Sequence, residues 1–231
     1  MKLKMPFITT SKYIDVHVYV DHPALDKCKF IDVTHRVKKK QMEPLKDSRK
    51  APNISTCSSF VSLQKKSFTV MSWQDWILNR ALGGTYTTNT TAPNLFYSEY
   101  HTHASSNGWS EKNNMNIIKI VPPYRIQTDE DIDWVLSYSP FAHQNIHIPS
   151  GIVNFKYTYD VNFFIYNHKT NTGDVIFKAG DSILNYVPLS ERRIKVHQHL
   201  DAEKYNYLLN VNQPLTMRNS YVKKKHFLWK N

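Results

Sequence analysis

Four of the 11 histidines fall into two His-x-His pairs, His101-Thr102-His103 and His197-Gln198-His199. On a strand this spacing turns both imidazoles to one face, within reach of one metal ion, and the two pairs together would supply four ligands. Iron oxygenase chemistry needs a carboxylate as well. Glu99 and Asp201 each lie two residues from a pair. The first pair sits in a polar loop and the second ahead of a helix candidate, and His-x-His arises readily by chance among 11 histidines. No metal site is therefore expected. The chain has two cysteines, Cys28 and Cys57, without close spacing, which excludes a cysteine-based zinc site. The acidic run Asp129-Glu130-Asp131-Ile132-Asp133 lacks the glycine and terminal glutamate of a calcium loop, and reads as a solvated turn. Phosphate-loop, nucleophile-elbow and zinc-protease motifs (Gly-x-x-x-x-Gly-Lys-Ser/Thr, Gly-x-Ser-x-Gly, His-Glu-x-x-His) are absent, so those three reaction templates lack support. No catalytic residue and no cofactor is expected.

The charge points to binding. The 231 residues carry a formal net charge of +11. Residues 1–60 hold 12 Lys+Arg against 6 Asp+Glu, residues 214–231 hold 5 against none, and residues 61–213 hold 13 against 13. The excess is confined to the two ends. Basic ends commonly meet a polyanion, either nucleic acid or an acidic protein surface, and they also serve simply as solubilising surface. The candidate polyanion-binding residues are Lys38, Lys39 and Lys40 at one end and Lys223, Lys224, Lys225 and Trp229 at the other. Interleaved lysines and rings suit single-stranded nucleic acid, with phosphates on the lysines and bases on the rings. The same residues fit a terminal strand whose Phe227, Leu228 and Trp229 dock on the core while the lysines face water.

The elements that would position such residues are mostly strands. Tyr and Phe are abundant, at 14 and 11, and Gly is scarce at 6; aromatic and β-branched residues suit a pleated, half-buried surface. Residues 13–20, 67–70, 115–121, 132–138, 151–159, 161–167, 174–178 and 183–187 read as extended pieces. Pro23, Pro122 and Pro140 punctuate them, as do the turns Asn171-Thr172-Gly173 and Ala179-Gly180-Asp181. Residues 36–53 read as a basic loop, and 83–116 as a polar excursion containing a hairpin or a functional loop. Ser72 to Leu78 fits a short helix capped by Ser72, with Asp75 in the acidic position of a capping box, and fits a strand equally well. Asp201 caps the best helix candidate, Asp201 to Asn210.

Residues 149–189 contain Gly151, Ile152 and Tyr157, then Asn167 at a strand end, then Phe177, Lys178, Gly180, Asp181 and Ile183. This segment resembles the central hairpins of the dUTPases and dCTP deaminases, the trimeric β-clip enzymes. The family's catalytic aspartate corresponds to Asn154, and an amide cannot act as the base that activates water. The family's serine-rich phosphate motif and glycine-rich C-terminal flap are also absent. The resemblance thus implies shared hairpin geometry without the chemistry. A broader likeness runs from about residue 52 to 205: Cys57 after a Pro-Asn stretch, Ser72-Trp73, Ile117-Ile118-Lys119-Ile120 into Pro122 and Tyr124, the Gly151 strand, and Gly180-Asp181 leading to Tyr186-Val187 and Leu189. In these features the chain resembles uncharacterised proteins of large tailed phages, which implies a phage setting and no particular activity.

The expectation is a mostly β protein, a sandwich or β-clip-like barrel with one short C-terminal helix. Its parts are a basic N-terminal strand and linker region over 1–60, a β-rich core over 61–213 and a basic aromatic tail over 214–231, within one compact domain. The expected function is that of a non-enzymatic phage protein acting by binding, as a virion component or an accessory factor. A dUTPase-like nucleotide-processing enzyme and a single-stranded nucleic-acid binder are the alternatives. Phage structural proteins or nucleic acid are the expected partners through the basic ends, and homo-oligomers are compatible with the sequence. Without an apolar leader, a membrane-length apolar run or paired cysteines, the expected location is the reducing host cytoplasm or the virion, with no membrane partner.

Overall fold

A computed structural model of the chain describes residues 12–28, 30–32, 58–80, 86–90, 97–100, 115–139, 147–159, 163–168 and 174–211. The polyanion candidates Lys38, Lys39, Lys40, Lys223, Lys224, Lys225 and Trp229 lie outside the described residues, as do Cys57, His101 and His103.

The described chain is mostly strand. Its strands are β1 Tyr13–Val20, β2 Ile31–Asp32, β3 Phe68–Met71, β4 Trp76–Arg80, β5 Tyr86–Thr90, β6 Tyr97–Tyr100, β7 Met115–Val121, β8 Arg125–Gln127, β9 Asp133–Tyr138, β10 Gly151–Asn154, β11 Phe163–His168, β12 Val175–Phe177, β13 Ser182–Pro188 and β14 Arg193–Leu200. Helix α1 is Pro23–Asp26, α2 is Ser58–Lys66 and α3 is Ala202–Val211. The C-terminal helix is where the sequence puts it, with the Asp201 carboxylate accepting from the Lys204 amide at 2.8 Å. The helices α1 and α2 are additions to the single helix expected.

The strands divide among four sheets, in the orders β14-β1-β8, β10-β9-β13-β3-β2, β11-β7-β6 and β12-β4-β5, and none closes into a barrel among the described residues. Alternation builds the first sheet. Ile14, Val16, Val18 and Val20 of β1 are buried, while Tyr13, Asp15, His17 and Tyr19 take the opposite face. The strand β14 pairs with β1 in parallel, from Tyr13↔Arg193 to Val20↔Leu200. The aromatic content expected in the core is there. Phe68, Trp134, Phe155 and Tyr186 are buried against one another, and Trp76 stacks on Phe177 with ring centroids 3.9 Å apart.

The segment 151–189 holds four strands and no helix among its described residues, but they do not form hairpins with one another. β10 pairs with β9, β11 with β7, β12 with β4, and β13 with β3 and β9, all antiparallel. Turn residues fix where a strand ends, while the choice of partner depends on which apolar faces must be covered. The polar excursion contains β5 and β6, paired with β4 and β7 respectively.

The helix reading of Ser72 to Leu78 is wrong. Ser72 Oγ accepts from Trp76 Nε1 at 2.7 Å and donates to the Gln74 carbonyl, and strand β4 begins at Trp76. Asp75 caps no helix. Its carboxylate accepts from the Ala179 amide at 2.8 Å and from Lys178 Nζ at 3.3 Å. The Lys178–Asp181 turn is thereby docked on Ser72–Asp75, with Gly180 at φ +86° donating to the Ser72 carbonyl at 2.7 Å.

Candidate functional site

Asn154, singled out in the sequence, stands at the end of β10. It is 3% exposed. Its amide nitrogen donates to Asp131 Oδ1 at 2.7 Å and to Asp133 Oδ1 at 3.0 Å. Its carbonyl oxygen accepts from the Lys156 amide at 3.1 Å, closing an Asx turn at the start of a tight bend. In that bend the amides of Tyr157 and Thr158 both donate to the backbone carbonyl of Asn154. The Tyr157 hydroxyl donates to Asp131 Oδ2 at 3.1 Å. Asn154 therefore joins the bend after β10 to the residues leading into β9. The acidic run does form a turn, yet three of its four carboxylates have partners: Asp131 and Asp133 with Asn154, and Glu130 in an ion pair with Arg192. Sequence reasoning picked out Asn154 and Tyr157, but missed the carboxylates that hold them, which lie more than 20 residues away.

Beside this bend a cleft of about 380 Å³ opens between β10 and β11, each an edge strand of its own sheet. Leu136, Ile152, Phe163, Phe164 and Tyr186 line it, with Lys119 as the one cation among its described lining residues. No carboxylate and no histidine is among the described residues that line it. Such a wall can take up an apolar or aromatic group.

The second histidine pair lies within β14 rather than merely ahead of the helix. The fold brings it a partner that spacing could not show, His17 of β1, directly opposite His197 in register. His17 Nδ1 and His199 Nε2 are 3.0 Å apart. His197 Nε2 is 2.7 Å from Asp15 Oδ1, and that hydrogen bond holds the Asp15 carboxyl below its usual pKa. The Tyr19 ring stacks on His199 at 4.9 Å. Burial, then the neighbouring His17 and His197, push the His199 imidazole below its ordinary pKa. Asp201 is not drawn into this group as a ligand, since its carboxylate caps α3.

Among the described residues no helix is long and apolar enough to cross a membrane. No protein-family model matches the chain, and no curated protein matches it. The chain is similar in structure to phage dUTPases. The dUTPase of Staphylococcus bacteriophage 80alpha, in a mutant form with dUpNHpp, superposes with a TM-score of 0.40 at 10% identity, covering 81% of this chain and 97% of that one. A mutant dUTPase of phage phi11 of S. aureus gives 0.38 at 7% identity, covering 81% and 98%. A second mutant form of the 80alpha enzyme gives 0.37 at 8%, covering 81% and 96%.

Proposed function

We propose that this is a phage protein that acts by binding and not by nucleotide chemistry. The reading rests on Asn154. The residue at the position where the resembling enzymes carry their aspartate is a buried amide, with both donors on carboxylates and its oxygen on a backbone amide. It has no carboxylate to take a proton from water, and the neighbouring cleft supplies none among its described lining residues.

The binding surface is assigned to the basic ends, where the net charge of +11 is concentrated. Lys38, Lys39 and Lys40 at one end and Lys223, Lys224, Lys225 and Trp229 at the other meet a polyanion, either packaged nucleic acid or the acidic face of a phage structural protein. The chain thus works as a virion component or as an accessory factor.

Salt dependence tests the assignment. Contacts to about five phosphates of duplex DNA give a log–log slope of roughly −4 to −5. Deleting 219–231 removes Lys223, Lys224, Lys225 and Lys230, and the slope shrinks by about 3 to 4 if all four touch phosphate. Undetectable binding to heparin and to DNA at low salt would overturn the nucleic-acid half. Mass spectrometry of purified particles then decides whether the chain rides in the virion.

A further inference from the structure

We propose that His17 and His199 together form a binding site for a divalent transition-metal ion, with Cu²⁺ preferred, on the outer face of the β14-β1-β8 sheet. Their facing nitrogens, Nδ1 of His17 and Nε2 of His199, are 3.0 Å apart. Two metal–nitrogen bonds of about 2.05 Å closing on that separation subtend about 94° at the metal. That is the cis angle of a tetragonal or octahedral ion. A tetrahedral ion would need the nitrogens about 3.3 Å apart. The geometry therefore favours Cu²⁺ or Ni²⁺ over Zn²⁺, and Cu²⁺ heads the affinity order for nitrogen sites. Among the described residues no three His, Cys, Asp or Glu side chains are arranged to hold one ion, so the protein supplies two ligands and water the others.

Both rings are held ready. His17 stands on β1, whose alternate residues Val16 and Val18 are buried. His199 is braced by the Tyr19 ring at 4.9 Å, and His17 by the His197 ring at 5.0 Å. His197 is itself anchored through Nε2 to Asp15. A metal here ties β1 to β14, two strands about 180 residues apart in sequence but adjacent and parallel in the fold. Because the unfolded chain holds no such pair, the ion adds to folding stability.

The test is Cu²⁺ titration of the full chain at pH 7.5, followed by calorimetry and by electron paramagnetic resonance. The expected result is a tight site with nitrogen splitting from two imidazoles. His17→Ala and His199→Ala should each weaken it by more than about 100-fold, since loss of outer-shell partners alone weakens metal sites by 10–100-fold. The double variant His101→Ala/His103→Ala should bind as the parent does. Cu²⁺ should raise the Tm of the parent and leave that of His17→Gln unchanged, a variant that keeps a polar side chain on the same face. Unchanged affinity in both single variants, or loss in the His101/His103 variant, would overturn the proposal and leave the 3.0 Å contact as a hydrogen bond between rings.

Discussion

Putting an aspartate at position 154, the residue type that the sequence resemblance implies for an enzyme, ought to damage this protein. Asn154→Asp preserves side-chain shape and the acceptor for the Lys156 amide. It removes both donors and sets a third carboxylate against Asp131 and Asp133, whose oxygens lie 2.7 and 3.0 Å from the amide nitrogen, at a site 3% exposed. Hydrogen bonds to a charged acceptor are each worth roughly 1.5–3 kcal/mol, so losing two costs about 3–6 kcal/mol at neutral pH. The sign with pH follows from the charge. Like-charged neighbours raise the pKa of the new carboxyl in the folded state above its unfolded value of about 3.9. The penalty is full above the raised value and shrinks by about 1.4 kcal/mol for each pH unit titrated on the way down. Urea unfolding of parent and variant at pH 7.5 and 4.5 measures both numbers. A variant within about 0.5 kcal/mol of the parent at both values, or a gap that widens on acidification, would refute the structural role given to Asn154.

Gly180→Ala should cost roughly 1–2 kcal/mol, because φ is +86° while a Cβ there would meet nothing within 4 Å; Gly180→Asn should recover part of that, and thermal melts of the two variants decide. Tyr124 and Tyr186 are buried and their pKa values are raised by loss of hydration, so they stay protonated in the folded protein when ordinary tyrosines ionise. A tyrosinate absorbance titration should show at least two fewer groups below pH 11 than the same titration in guanidinium. Stability should fall above about pH 10, by up to about 2.7 kcal/mol per pH unit for the two together. Full titration of every tyrosine in the native state would contradict that burial.

What could be read from the residues was local. The alternation in Tyr13–Val20 gave the strand to the residue, because a two-residue period with β-branched side chains has few other solutions. Asp201 as a cap and the glycine at 180 are of the same kind: each is a single residue meeting a single backbone requirement. Ser72 and Asp75 misled, since their spacing serves a helix cap and also the docking of Ser72–Asp75 against the Lys178–Asp181 turn. Helix α2 carries Ser58, Ser59, Ser62, Gln64, Lys65 and Lys66, with too little apolar periodicity to announce itself. Pairing was the larger gap. Nothing near Tyr13 indicates that β1 lies parallel to β14, so His17 could not be placed beside His199. For the same reason Asn154 could be singled out in the sequence, while the two carboxylates that receive its amide could not.

The claim that this fold binds but does not hydrolyse is tested most directly by incubating the purified full chain with dUTP and with dCTP in the presence of Mg²⁺ and following the products by phosphorus NMR. The account predicts intact nucleotides after prolonged incubation, with Asn154→Asp no more active than the parent. Magnesium-dependent conversion that disappears in Asp131→Asn or Tyr157→Phe would contradict it, and would place a working base on the carboxylate that Asn154 and Tyr157 share.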